Sequence, residues 1–235
     1  MSNSEKLSKL GQAIGSTATS EQMSIDDTGV HVATQAADDN STKIATTEYV
    51  DRLALSSVPV GNRVLIETKI ASSSPFIHFN HNATIAIFDD YEIEIVNYEP
   101  SSEGEDLLMQ VSKDSSGATV ETTAQYNYSL QRWLSDGLTG HTAGALANSF
   151  ALALDVGKLT AGEGADGQVK YKGAHNTTTF KRFSSEFVST DVDGKSNHFI
   201  FGGTHHAASV IYGVRFVPSA GTIAQGTFRL YGIKK

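Results

Sequence analysis

The 235-residue chain contains no cysteine. That excludes a disulfide framework, thiolate metal sites, iron–sulfur clusters and a cysteine nucleophile together. Long hydrophobic runs are missing as well. No window approaches the roughly eighteen apolar residues of a membrane-spanning helix. The longest candidate, Ala143 to Val156, is broken by Gly144, Asn148 and Ser149 and reads as a loop followed by a strand. The opening Met1-Ser-Asn-Ser-Glu-Lys-Leu7 lacks the apolar stretch of a signal peptide, so the chain is expected to be made and folded in a cytoplasm. Excess positive charge is also absent. Twenty-six Asp and Glu against eighteen Lys and Arg give a net charge of -8 and a pI near 5.4. This balance argues against a nucleic-acid partner and against electrostatic docking on anionic lipid, while the missing apolar run argues against membrane insertion.

What the chain does have is small hydroxyls. It carries 26 Ser and 22 Thr, with 21 Gly beside them. Such a composition is poor in helix formers and rich in turn and strand chemistry. Aromatics at 9% are enough to build a core, which separates the chain from disordered sequences of similar polarity.

Residues 1–37 hold few large apolar side chains, and Gly11, Gly15 and Gly29 interrupt their periodicity. They read as an unstructured or extended arm, or as one that orders when other chains hold it. Residues 38–61 follow as a short helix and hinge. Thr46 is the expected N-cap, and Glu48 stands where the helix dipole favours a negative charge. At 100° per residue, Ala45, Tyr49, Val50 and Leu53 share one arc of about 140°. A helix of about ten residues is marginal alone. Its apolar arc needs either the β domain or copies of itself about a symmetry axis, and these four residues are the expected contacts of a homotrimer. Pro59 and Gly61 then stop the helix.

From residue 62 to 235 the period becomes two. Val64, Ile66, Thr68 and Ile70 alternate with Leu65, Glu67 and Lys69, and Tyr91, Ile93 and Ile95 alternate with Glu92 and Glu94. Leu107, Met109 and Val111, then Phe199 and Phe201, and finally Phe228 and Leu230 repeat the pattern. Turn signals fall at Pro100–Gly104, Lys113–Gly117, Asp166-Gly167, Asp193-Gly194 and Pro218–Gly221. The reading is an all-β domain, an antiparallel β-sandwich or jelly roll of roughly eight to eleven strands.

Motifs for chemistry are scarce. No Gly-x-Ser-x-Gly elbow, phosphate loop, dinucleotide fingerprint or His-Glu-x-x-His is present, so the chain is read as a non-enzyme that needs no cofactor. His78 and His81 fall on opposite faces of a strand, and His205 and His206 are adjacent at a turn, so no metal site is expected. Asp191-Val-Asp-Gly-Lys-Ser196 opens like a calcium loop but lacks its closing Glu and brings in Lys195; a type I′ Asp-Gly hairpin accounts for the same residues. The ligand-binding candidates are Tyr126, Tyr128 and the single Trp, Trp133, set among Asn, Gln and Arg. Aromatic faces beside polar donors suit stacking on sugars. The competing reading places one of these faces in the core, with Trp133 as a buried anchor.

Asp39-Asn-Ser-Thr-Lys-Ile-Ala-Thr-Thr-Glu-Tyr-Val-Asp51 resembles a segment of bacteriophage tail fibre and related tail proteins, where it precedes a distal β domain. The later chain is similar to phage virion β-sandwich domains, notably at Asp90–Pro100, Asp106–Lys113 and Gly221–Ile233. The resemblance implies a virion structural protein assembled in the bacterial cytoplasm, trimeric, held to other tail or head proteins by its N-terminal arm. It further implies a sandwich that meets host surface carbohydrate. No shaft of repeats or heptads lies within the 235 residues. This departure keeps a second role open, that of a head-decorating or tail-adaptor protein.

Overall fold

A computed structural model describes residues 23–26, 29–32, 63–80, 88, 90–114, 119–158 and 162–233. The chain divides into two compact units, Met1–Pro59 and Val60–Lys235. In the first, β1 (Met23–Asp26) and β2 (Gly29–Val32) pair antiparallel, Asp26 facing Gly29 and Met23 facing Val32. A short strand pair therefore occurs within the segment read as an unstructured or extended arm. The expected helix, its contacts Ala45, Tyr49, Val50 and Leu53, and the hinge lie outside the described residues.

The second unit holds twelve strands and, among the described residues, no helix. They are β3 (Arg63–Ser74), β4 (Ile77–Asn80), β5 (Asp90–Pro100), β6 (Glu105–Ser112), β7 (Tyr126–Leu134) and β8 (Thr139–Ala147). There follow β9 (Phe150–Val156), β10 (Gly164–Lys172), β11 (Lys181–Thr190), β12 (Ser196–His205), β13 (Gly213–Pro218) and β14 (Ile223–Ile233). All pairings are antiparallel, in one sheet of order β3-β14-β5-β10-β11-β12-β7-β8 and a second of order β4-β13-β6-β9. The fold is the all-β, antiparallel sandwich expected from the alternation.

Strand order makes the class sharper. Setting β7, β8, β11 and β12 aside leaves eight strands in two sheets, β3-β14-β5-β10 and β4-β13-β6-β9. Counted one to eight along the chain, these are 1-8-3-6 and 2-7-4-5, the order of a jelly roll. The four remaining strands form two hairpins, β7–β8 and β11–β12, inserted in the two gaps and added side by side to one end of the first sheet.

Between the sheets lies a continuous run of rings. Tyr91 stacks on Tyr171 at 5.3 Å, Tyr171 on Phe183 at 5.4 Å, and Phe183 meets Phe150 at 4.9 Å. Phe150, on the edge strand β9, also touches Tyr126 at 4.8 Å and Phe201 at 5.2 Å. Leu107, Met109, Val111, Phe228 and Leu230 are fully buried, as their alternation predicts.

Three local readings need correction. A β-bulge in the β3–β14 pairing, between Leu230 and Tyr231, shifts the phase of β3. Ile70 consequently stands 75% exposed while Lys69 turns inward, donating to the His78 carbonyl over the Phe79 ring. Such an offset flips every later side chain to the other face. Asp166-Gly167 lies inside β10 and makes no turn; a Cβ at Gly167 would fall 2.3 Å from the Phe187 ring, so close packing requires the glycine. Ala143–Ala147 belongs to β8 and is no loop. Its Gly and Ala residues carry little strand propensity, and pairing with β7 decides the outcome.

Candidate functional site

Side chains on the outward surface of the large sheet line up in rows across its strands. One row, set by direct register, runs Thr68, Arg229, Glu94, Gln168, Glu186, Ile200, Gln131, His141. A neighbouring row carries Val188, His198, Trp133 and Thr139 across β11, β12, β7 and β8. The two ends of this surface differ in chemistry.

Over β3, β14, β5 and β10 the surface is charged and mutually paired. Arg63 reaches Glu92 at 2.7 Å and lies over the Tyr231 ring at 3.8 Å. Arg229 contacts Glu94 at 3.0 Å, and the Tyr231 hydroxyl donates to the same carboxylate. The Arg229 hydrogen bond holds the Glu94 carboxyl below its usual range, the Tyr231 bond and the nearby guanidinium charges assisting against partial desolvation.

Over β11, β12, β7 and β8 the surface is aromatic and apolar between polar groups. Trp133 is 40% exposed, and its ring lies 5.6 Å from the His198 imidazole. His198 Nε2 is 3.0 Å from Glu186 Oε1. Val188 and Ile200 stand exposed beside them, and Gln131 donates to the Gly140 carbonyl. Ser129 Oγ shares a 2.9 Å hydrogen bond with His141 Nε2. Two shallow depressions join the ends. One of about 300 Å³ has Glu94, Gln168, Glu186 and Val188 on its walls; the other, of about 200 Å³, has Lys170, Ser184, Glu186 and Ile200.

The three aromatic candidates therefore do not converge. Tyr126 and Tyr128 share a face, as their i, i+2 spacing requires, but it is the inward one. Tyr126 is fully buried: its hydroxyl accepts from the Val111 N–H and donates to the Glu121 carbonyl. It is a core residue and offers no ring to a ligand. Tyr128 packs between Phe150 and Phe201, and Gly144 leaves room for its ring. Trp133, an odd number of residues away on a regular strand, faces outward. The anchor reading for Trp133 fails, and the core reading holds for the tyrosines. The ring partner of Trp133 that spacing could not show is His198, 65 residues away on β12, which Glu186 on β11 holds in turn.

The histidines scatter likewise. His78 is on β4, His81 lies outside the described residues, and His205 and His206 diverge. His206 stacks on Phe180 at 4.7 Å; His205 is fully buried against Tyr126. Among the described residues no cluster of three His, Cys, Asp or Glu could hold a metal ion. The Asp191 loop is a turn. Gly194 N–H donates to the Asp191 carbonyl, and Gly194 alone in the loop has positive φ, +74°. It is thus a type I turn closed by a left-handed glycine, in place of the expected type I′. The Asp191 carboxylate accepts from the Asp193 and Lys195 N–H groups and from Arg132 at 3.1 Å. Burial opposes its charge, but these donors together with Asn197 hold its carboxyl below the usual range. Arg132 also reaches Asp155 on β9 at 2.6 Å, which ties the two sheets at this end.

Fold and surface together define a jelly-roll sandwich, widened by two hairpins, whose inserted half displays an aromatic and polar outer surface. No protein family matches the chain, and neither a curated protein nor a solved structure matches it.

Proposed function

We propose that the chain is a phage virion structural protein of the tail fibre or receptor-binding type. Its N-terminal segment attaches to other virion proteins, and its sandwich takes neutral host-surface carbohydrate on the outer face of the inserted half. The observation that carries the carbohydrate part is the outward indole of Trp133, backed by His198 and flanked by Glu186, Gln131 and Thr139. A sugar ring stacks on such a face while its hydroxyls donate to carboxylate and amide oxygens. The virion part rests on the resemblance at Asp39–Asp51.

The surface favours holding a glycan over cutting it. Glycoside hydrolysis needs one carboxyl kept protonated, and Glu94 is shifted the opposite way. The Ser129–His141 pair has, among the described residues, no carboxylate to orient the imidazole, and the β7 amides beside Ser129 are engaged with β12 and β8. Sedimentation against bacterial surface polysaccharide and a glycan array test the reading. Trp133→Ala should weaken binding on the order of tenfold, about 1.4 kcal/mol. Binding untouched by that change, or a blank array, overturns it.

The second reading, a head-decorating or tail-adaptor protein, draws on the absence of shaft repeats in residues 1–235 and on a frame shared by capsid and lectin domains. Gold-labelled antibody on intact particles separates the two, since a capsid-wide distribution excludes a tail tip. In either role three copies associate through Ala45, Tyr49, Val50 and Leu53. Tyr49→Ser with Leu53→Ser should reduce the chain number in light scattering and leave the sandwich's circular dichroism unchanged.

A further inference from the structure

β12 ends on His205, and register sets it between two other strand termini. Lys181, the first residue of β11, stands opposite on one side, and Tyr126, the first residue of β7, on the other. All three are fully buried. The Tyr126 ring meets the imidazole edge-on at 5.2 Å, and its hydroxyl bridges the Val111 N–H on β6 to the Glu121 carbonyl. This row therefore closes one end of the inserted half against the second sheet.

Its polar groups are unequally served. Lys181 Nζ donates to the Asn176 and Thr179 carbonyls. The Glu121 carboxylate takes Lys113 and the Thr123 hydroxyl. Neither ring nitrogen of His205 has a hydrogen-bond partner among the described residues. A neutral imidazole carries that cost as orphaned polar atoms, and an imidazolium carries it as a buried, unpaired charge. The charges around the row deepen the penalty. Lys113, Lys181 and His206 act on the imidazole as bases, and Arg215 on β13 acts on Tyr126 as a cation. The opposite end of the same strands is built the other way. There Arg132 joins Asp155 and Asp191, and donors hold the Asp191 carboxyl below its usual range, so its charge survives moderate acid.

We infer that His205 is an acid-sensitive latch whose protonation opens the inserted half at the Tyr126 end of β7, β11 and β12, while the Arg132 end and the jelly-roll frame stay folded. Burial, with the neighbouring bases, pushes His205 down to about 4, whereas an exposed imidazole binds its proton near 6.5. The closed form is therefore favoured above that interval, and opening grows as pH falls through it. Trp133 and His198 lie toward the anchored end, so the opening bares the inner rings and spares the outer surface.

The lack of cysteine lets one introduced thiol report on each region. Ser185→Cys places it on the inner face of β11 near the row, and Ala71→Cys places it on β3; both sites are buried. Each full chain is treated with dithiodipyridine, which thiols attack even in acid, and the rate is divided by that of the same chain in denaturant at the same pH. From pH 7 to 4.5 the Ser185→Cys ratio should rise on the order of tenfold to a hundredfold, while that of Ala71→Cys stays level. His205→Gln and His205→Phe, which place no titrating group there, should each abolish the rise. Circular dichroism at pH 7 checks the fold of each variant, and either His205 variant suffices. Ratios that rise together overturn the proposal, since the chain then opens as a whole, and so does a rise that survives in a folded His205 variant.

Discussion

The large sheet has two halves built to different rules. The jelly-roll half, β3-β14-β5-β10, is backed by a second sheet, and its outer surface is closed by its own ion pairs. The inserted half, β11-β12-β7-β8, packs chiefly on the single edge strand β9, yet it displays the exposed Trp133, Val188 and Ile200. The difference teaches that one sheet keeps two outer surfaces of different chemistry on the two parts of its frame. Ion pairs cover the outer surface of β14, β5 and β10, with Leu65 and Ile70 exposed on the edge strand β3, while the added hairpins expose Trp133, Val188 and Ile200 between polar groups.

The sharpest way to break the comparison is Phe150→Ala. Phe150 is fully buried where rings from β7, β11 and β12 meet β9. Its loss should cost about 3–5 kcal/mol, read as a lower denaturant midpoint, and the inserted half should lose hydrogen-exchange protection first.

Acid should come next. Burial, with Lys113, Lys181 and His206 nearby, pushes His205 down to about 4, so the folded chain keeps it neutral where the unfolded chain, near 6.5, binds a proton. Stability from this group is full above pH 6.5 and is lost as pH falls toward 4. The loss is on the order of 3 kcal/mol, and His78, lowered mainly by burial, adds in the same direction. Denaturation titrated from pH 7 to 4 measures it. His205→Phe should flatten the slope, and an unchanged slope would assign the acid sensitivity elsewhere.

Arg132→Met should cost about 1–3 kcal/mol, because it strips the partner from the buried Asp191 and unties β9 from the inserted half. The smallest effect belongs to the other half's surface. Arg229→Ala removes an ion pair whose two side chains are each 35% exposed and should cost under about 1 kcal/mol. Equal losses for Arg132 and Arg229 would erase the contrast between the halves.

Much of the frame is legible in the sequence. Period-two patterns at Tyr91–Ile95, Leu107–Val111, Phe199–Phe201 and Phe228–Leu230 name the core faces correctly, because each strand buries one side. β8 is illegible, since glycine and alanine carry neither pattern nor propensity and only pairing with β7 makes them a strand. Beyond the bulge in β3 the alternation misleads, placing Ile70 inside and Lys69 outside. The surface site is only partly readable. Tyr126 and Tyr128 attract notice as aromatics among polar neighbours, yet they face the core. Glu186 and His198 look unremarkable until register puts them beside Trp133.

The first and last strands of the sandwich are neighbours, with Arg63 opposite Ile233 at one corner of the large sheet. β8 lies seven strand spacings away, about 34 Å at 4.8 Å each. The two ends of the large sheet therefore stand a full sheet width apart, and the added hairpins lengthen it without re-threading the strands of the jelly-roll frame.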